Sequence, residues 1–239
     1  MTLISKFTRR LLFILALTFA TLAVANAAES TDATVARQFA LLEIIGPEAL
    51  SVRNEGGAAQ LFGAMGAIAQ NTLNASNGEA LTKLSQDLLP QLAKEFAAAF
   101  LASAAKAKIS VAYLADQPNP PEIRGQKVLY DKVVTEADYI LQLKIVVAGY
   151  RSSLGESDYS PFTLVRVWVT DSKTKERVFT KVASFGWDTK VTLALVIPGS
   201  LGVKYPTFAD VLADIPGATS GILKAVIRVA EELPARLPL

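Results

Sequence analysis

Residues 139–187 constrain the fold more than any other part of the chain. From residue 139 to 150, Leu141, Leu143, Ile145 and Val147 alternate with Gln142 and Lys144. That is the period-two pattern of a strand with one apolar and one wetter face. Residues 162–170 and 177–187 read as two further strands. The polar run Asp171-Ser172-Lys173-Thr174-Lys175-Glu176 between them predicts a hairpin. Three strands in series cannot sit in a helix bundle; they need a sheet whose apolar face is covered.

The flanking segments supply the cover. Residues 37–45, with Phe39, Leu41, Leu42, Ile44 and Ile45, form a short apolar run closed by Gly46-Pro47, which predicts a strand. Leu81, Leu84, Leu88, Leu92, Phe96 and Phe100 return every three or four residues, so residues 79–108 read as helix. Pro90 cannot sit inside a continuous helix, so a break is expected before it, with Pro90 as first residue of a second stretch. Residues 109–114 read as a strand, Pro118, Pro120 and Pro121 as an extended loop, and residues 126–135 as a short helix. Residues 208–237 read as mostly helical with an interruption at Pro216-Gly217. Their buried face is Ile222, Leu223, Val226, Ile227, Ala230 and Leu233. The expected fold is α/β: a single mixed β-sheet of about five strands with helices packed on it, ending in a hairpin and a long C-terminal helix. With no internal repeat and no linker, residues 28–239 read as a single domain.

The first 27 residues stand outside that pattern. Lys6, Arg9 and Arg10 precede an apolar run over residues 11–24, and Ala25-Asn26-Ala27 follows, so the segment reads as a secretory signal peptide cleaved after Ala27. The run is shorter than a membrane anchor needs. Thr8-Arg9-Arg10-Leu11-Leu12-Phe13 partly resembles a twin-arginine signal but lacks its usual Lys, which favours the general secretory route and a periplasmic location. The leader takes three of the 24 basic residues and none of the 22 acidic ones, leaving 21 against 22. A near-neutral chain offers no electrostatic basis for binding nucleic acid. No dense Lys/Arg cluster marks an anionic-membrane patch either.

Chemistry is sparse. A 51% hydrophobic, 19% charged chain is too apolar to be disordered. It has no Cys, so no disulfide, thiolate nucleophile or thiolate-held metal is available. With no His, the commonest general base and metal ligand is missing too. Ser103-Ala104-Ala105-Lys106 has the serine–lysine spacing of penicillin-recognising enzymes, without their Ser-Asp-Asn and Lys-Thr-Gly elements. Pro198-Gly199-Ser200-Leu201-Gly202 is half a nucleophile elbow, with Pro where Gly is required. Glu136 with Asp138, and Glu156 with Asp158, read as solvated loop carboxylates, and Asn74-Ala75-Ser76 as a sequon without consequence in a bacterial chain. No phosphate loop or dinucleotide fingerprint is present. The sequence therefore predicts a non-enzymatic protein with no catalytic residues, metal site or cofactor.

Two features point to contacts instead. No charged residue falls between Gly56 and Gly78, and Ala59, Gly63 and Ala67 lie four apart on one helical face. Such a stripe lets backbones approach closely. The segment reads as a tightly packed internal helix or a loop over the sheet, or else as a contact element in which Phe62, Gly63, Met65 and Ala67 meet a membrane, a partner or a second copy. Gln60, Gln70 and Asn71 argue against a membrane span. Tyr150, Trp168 and Trp187 form the second feature: an interface patch if exposed, core otherwise. A small apolar ligand held between helix and sheet near these aromatics is the alternative to protein binding.

The order of elements carries a resemblance. Ala137-Asp138-Tyr139-Ile140-Leu141-Gln142-Leu143 enters a strand, the hairpin over residues 164–185 turns at Asp171-Ser172-Lys173-Thr174, and a long helix closes the chain. This resembles the small α/β domains of bacterial envelope proteins: the N-terminal domain of the Tol translocation protein, the curli-secretion lipoprotein and the lipoprotein activators of cell-wall synthases. The likeness covers most of residues 39–233. The Gly-rich stretch behind Asn54-Glu55-Gly56-Gly57 is similar to a group of exported proteobacterial proteins. The resemblance implies action by binding an envelope protein or further copies of the chain, without catalytic residues. Lipid anchoring does not carry over, because the Cys is missing.

Overall fold

The computed structural model describes residues 37–55, 63–115, 130, 133–153, 157–187 and 194–238, the first three residues of the helix at 63 by backbone alone. Ala27, the rest of the leader, Phe62 and most of the expected helix at 126–135 lie outside the described residues.

Seven strands form one mixed sheet: β1 (Gln38–Leu42), β2 (Ser51–Asn54), β3 (Ser110–Leu114), β4 (Tyr139–Ser152), β5 (Tyr159–Asp171), β6 (Arg177–Phe185) and β7 (Ala194–Ile197). The order is β3-β1-β4-β5-β6-β7, with β2 also paired to β4. The antiparallel meander β4-β5-β6 is the part that alternation and turn chemistry predict. Asp171 closes its second turn by accepting from the amides of Lys173 (2.9 Å) and Thr174 (2.8 Å). These amides, Thr174 first, hold the Asp171 carboxyl below its ordinary range. The other pairings between named strands are parallel: β1 with β3 and β4, β2 with β4, β6 with β7. Each joins strands distant in sequence or separated by a crossover, so short-range pattern does not announce them.

β2 and β7, each four residues long, are strands beyond the five expected. β2 pairs Ser51 with Gly149. A Cβ at Gly149 would lie 1.8 Å from the Ser51 oxygen, so that pairing requires glycine. β7 separates the hairpin from the closing helices. In β4 the register shifts between Ile145 and Val147. Up to the bulge, Leu141, Leu143 and Ile145 face the main core; after it, Ala148 and Tyr150 do, and Val147 leaves the expected face. Gln142 is not on a wet face. It is buried, and its Oε1 accepts from the Tyr130 hydroxyl at 3.0 Å.

Four helices cover the sheet: α1 (Gly63–Leu84), α2 (Leu88–Lys106), α3 (Phe208–Ala213) and α4 (Ile215–Glu232). The break ahead of Pro90 falls at residues 85–87, which places Pro90 in the first turn of α2. The first helix starts at Gly63, well before the expected 79. The interruption near Pro216 falls at Asp214, whose side chain accepts from the Gly217 amide, and Pro216 sits in the first turn of α4. α4 lies across β5 and β6 and packs on α2. Ser103 of the serine–lysine spacing donates to the Glu231 carbonyl at 2.5 Å, tying α2 to α4. The main core fills the space between these helices and one sheet face. A smaller cluster of Leu42, Tyr130, Val133 and Ile140 occupies the other face. Residues 133–135, the described end of the expected helix at 126–135, are irregular.

Candidate functional site

Polar and small residues, rather than apolar ones, seat α1. Asn74, Gly78 and Thr82 recur every four residues, and this stripe lies along the outer edge of β2. The Thr82 hydroxyl accepts from the Leu50 amide at 2.9 Å, and Asn74 Oδ1 accepts from the Asn54 amide at 3.1 Å. Between them the Gly78 backbone approaches so closely that a Cβ there would stand 3.0 Å from the Leu50 carbonyl oxygen. The helix thus satisfies strand amides that would otherwise template pairing with another chain. Of the expected small-residue stripe Ala59, Gly63 and Ala67, Ala59 lies outside the described residues. Ala67 is exposed, and Gly66 is the small residue turned inward. Gly63 and Met65 are placed by backbone only, as the opening residues of α1. Ile68, Leu73 and Leu84 project outward at 67%, 54% and 55% exposure. Leu73 and Leu84 are three turns apart and therefore share a side of the helix.

The aromatic residues do not assemble into one patch. Tyr150 is fully buried on the helix-covered face, where its hydroxyl donates to the Ala218 carbonyl at 3.1 Å. Its ring meets Tyr205 edge-on at 5.5 Å, and the Tyr205 hydroxyl donates to Asp214 Oδ2 at 2.8 Å. Burial first, then the neighbouring Asp214, pushes the Tyr205 hydroxyl up to about 12, and burial raises Tyr150 as well. Gly217 and Gly221 make room for these hydroxyls. A Cβ at 217 would meet Asp214 Oδ2 at 2.0 Å, and one at 221 would meet the Tyr150 oxygen at 2.5 Å.

Trp168 and Trp187 lie on the opposite face, at different ends. Trp168 pairs in register with Gln142, whereas Trp187 packs edge-on against Phe162, whose partner is Gly149. Six residues of β5 separate the two positions, about 20 Å. Trp168 is buried between the guanidinium groups of Arg166 and Arg177, 5.6 and 5.7 Å from its ring centre. Trp187 is half-buried between Arg53 and Arg151, at 5.6 and 5.2 Å. Gly186, at φ +68°, provides the left-handed turn by which the chain leaves β6 and carries Trp187 to Phe162.

Arg151 organises this end of the sheet. Its side chain is 10% exposed, its Nη2 donates to Glu55 Oε2 at 2.5 Å, and its buried Nε has no hydrogen-bond partner. Beside it is a cavity of about 420 Å³ lined by Arg151, Trp187, Ile197, Leu201 and Lys204. Pro198, Gly199, Ser200 and Leu201 of the half-elbow are part of its wall. Ser200 accepts there from the Gly202 amide at 3.2 Å, on an irregular loop rather than a strand-to-helix turn. A second, open groove of about 700 Å³ runs between β2 and α1, past Arg53, Asn71 and Glu79. Among the described residues no three acidic side chains come together as a metal site. Sequence reasoning missed Arg53, Glu55, Arg151 and Lys204. The one signal was positional, since Arg53 and Glu55 flank Asn54 just where β2 ends beside the end of β4.

Taken as a class, the molecule is a mixed α/β sheet protein with its helices laid on one face and one edge. No family model matches the sequence, and comparison with curated proteins gives no match. Among solved structures it is similar to protein XCC0632 from Xanthomonas campestris, of the DUF330 family. The identity is 12%, 82% of this chain and 80% of that one are covered, and the TM-score is 0.38. It is also similar to lipoprotein GNA1162 from Neisseria meningitidis, at 9% identity over 62% and 81% of the two chains, with a TM-score of 0.27. A third similar structure is the PelC dodecamer from Paraburkholderia phytofirmans, at 13% identity over 81% and 86%, with a TM-score of 0.25.

Proposed function

We propose that this is a non-enzymatic periplasmic protein of the cell envelope, an adaptor or assembly subunit that works through protein–protein contacts made by α1. One observation carries the reading. A helix of 22 residues, about 33 Å long, is seated by a polar stripe on an edge strand and turns Ile68, Leu73 and Leu84 to solvent. A helix that spends its glycines and amides on its own fold and its aliphatic residues on solvent is arranged to bury those residues elsewhere. The absence of charge between Gly56 and Gly78 removes like-charge repulsion between two such surfaces. The leader-like first 27 residues support a contact outside the cytoplasm, and the lack of His and Cys supports binding over catalysis. Among the described residues no helix is long and apolar enough to cross a membrane.

Site-specific photocrosslinking from positions 68, 73 and 84 in intact cells, together with light scattering of the mature chain, tests the reading. A crosslink to an envelope protein or to a second copy that is lost in L73S/L84S supports it. A strict monomer with no crosslink from any of the three positions overturns it.

A further inference from the structure

The cavity beside Trp187 combines two chemistries that rarely meet by chance on a protein with so few charges. Its lining includes both Arg151 and Lys204, and no carboxylate among the described residues. Glu55 meets Arg151 at Nη2, and the adjacent Nε, enclosed by protein, has no hydrogen-bond partner. Lys204 is exposed and forms no ion pair among the described residues. The exposed Val196 and the half-buried Leu201 supply apolar lining, with Val196 41% exposed. The hydroxyls of Ser153 and Ser160 add neutral donors. The volume of about 420 Å³ falls within the ~300–1,000 Å³ usual for small-molecule sites.

We propose that this cavity binds a small amphiphilic anion: a carboxylate or phosphate monoester head held by Arg151 and Lys204, with an alkyl body against Val196 and Leu201. The Arg151–Glu55 pair and the stacked Trp187 hold the guanidinium in place before the ligand arrives, so little ordering is required on binding. The site is separate from the outer face of α1 and stands or falls independently of contacts made there.

Trp187 reports on its own site. The chain has two tryptophans, so Trp168→Phe leaves Trp187 as the sole indole. Fluorescence titration of that variant, with calorimetry on the unsubstituted protein, uses decanoate, decyl phosphate, decanol and inorganic phosphate as probes. The expected result is saturable binding of decanoate or decyl phosphate below about 1 mM, weakened by added salt. Decanol and inorganic phosphate should each bind at least about tenfold more weakly. Stronger decanoate than decyl phosphate binding assigns the head as carboxylate; the reverse assigns it as phosphate. Lys204→Gln, a change at an exposed side chain that leaves the fold intact, should weaken the anion about tenfold. Arg151→Lys keeps the charge opposite Glu55 but loses the planar fork, and should weaken it similarly. No saturable binding of either amphiphile up to 1 mM overturns the proposal. So does equal affinity for decanol and decanoate, or a Lys204→Gln affinity unchanged from the parent.

Discussion

Two of the three long helices, α1 and α4, dock on the same sheet by opposite means. α4 buries Ala218, Ile222, Ala225, Val226, Val229 and Ala230 against the sheet face and α2, and receives two tyrosine hydroxyls beside Gly217 and Gly221. Among the described side chains of α1, Leu81 is the large apolar one that is buried, and the helix instead offers Thr82 and Asn74 to the amides of Leu50 and Asn54 along β2. The first mode removes hydrocarbon from water and stabilises the whole domain. The second closes a sheet edge and is worth a few hydrogen bonds. Glycine serves both: at 221 it admits a side chain, and at 78 it admits a strand backbone. The sharpest way to test the contrast is to put bulk at each glycine and ask how far the damage spreads.

Gly221→Val should be the most damaging. Its Cβ would fall 2.5 Å from the Tyr150 oxygen and 3.3 Å from Val203, and Tyr150 is fully enclosed and braced by Tyr205. Overpacking there should lower global stability by about 3 kcal/mol in urea unfolding. Tyr150→Phe alone loses the bond to the Ala218 carbonyl, about 1 kcal/mol. Adding it to Gly221→Val removes the clashing oxygen, so the double variant should be more stable than the sum of the two single losses predicts. Strict additivity would show that the hydroxyl and the glycine are not one lock.

The same contrast separates what the sequence discloses from what it hides. α4 announces itself, because Ile222, Val226, Ala230 and Leu233 of the expected face return at helical spacing and are buried, while Leu223 and Ile227 beside them are only half-buried. The inward line of α1, Gly66, Gln70, Asn74, Gly78 and Thr82, has the same spacing, but its signal is polar and small, so an apolar pattern cannot find it. The β4-β5-β6 meander is legible for the same reason as α4; β2 and β7 are not, since four residues paired in parallel depend on a partner elsewhere in the chain. Trp187 stands out as a residue, yet its setting does not. Arg53 and Glu55 reach it from β2 and Arg151 from β4, nearly a hundred positions away, and only the parallel register brings those strand ends together.

On the α1 side the damage should stay local. Gly78→Val presses a side chain on the Leu50 carbonyl, and α1 can lift from the edge without opening the main core. A loss of about 1–2 kcal/mol is expected, read chiefly as faster hydrogen exchange at the Leu50 and Asn54 amides, with exchange in β4 and β5 little changed. Uniform acceleration across the sheet would break the distinction between edge-capping and core-burying helices. Asn74→Ala and Thr82→Ala are milder versions. Each removes one acceptor from a strand amide, worth about 0.5–1 kcal/mol, with the exchange effect confined to residue 54 in the first case and residue 50 in the second.

The smallest effect at neutral pH becomes visible in alkali. Tyr205 links the approach to α3 with the start of α4 through Asp214, and its hydroxyl is raised from the usual 10 to about 12. The folded state therefore prefers the neutral phenol more than the unfolded chain does. Its contribution is fully present below pH 10 and is lost as pH rises from 10 through about 12. Tyr205→Phe should be close to the parent in stability at pH 7, where losing one partly exposed hydrogen bond to Asp214 is the whole change. Above pH 10 the parent should lose stability faster than Tyr205→Phe, because only the parent must ionise a phenol beside a carboxylate or keep it protonated against the solvent. Lysines and the tyrosines remote from this pair titrate in both proteins and cancel in the difference, whereas Tyr150, which Tyr205 helps to raise, adds to it in the same direction. Parallel stability-against-pH curves from 9 to 12 would mean that the Tyr205–Asp214 pair opens freely, and that the lock on α4 consists of Tyr150 and the two glycines alone.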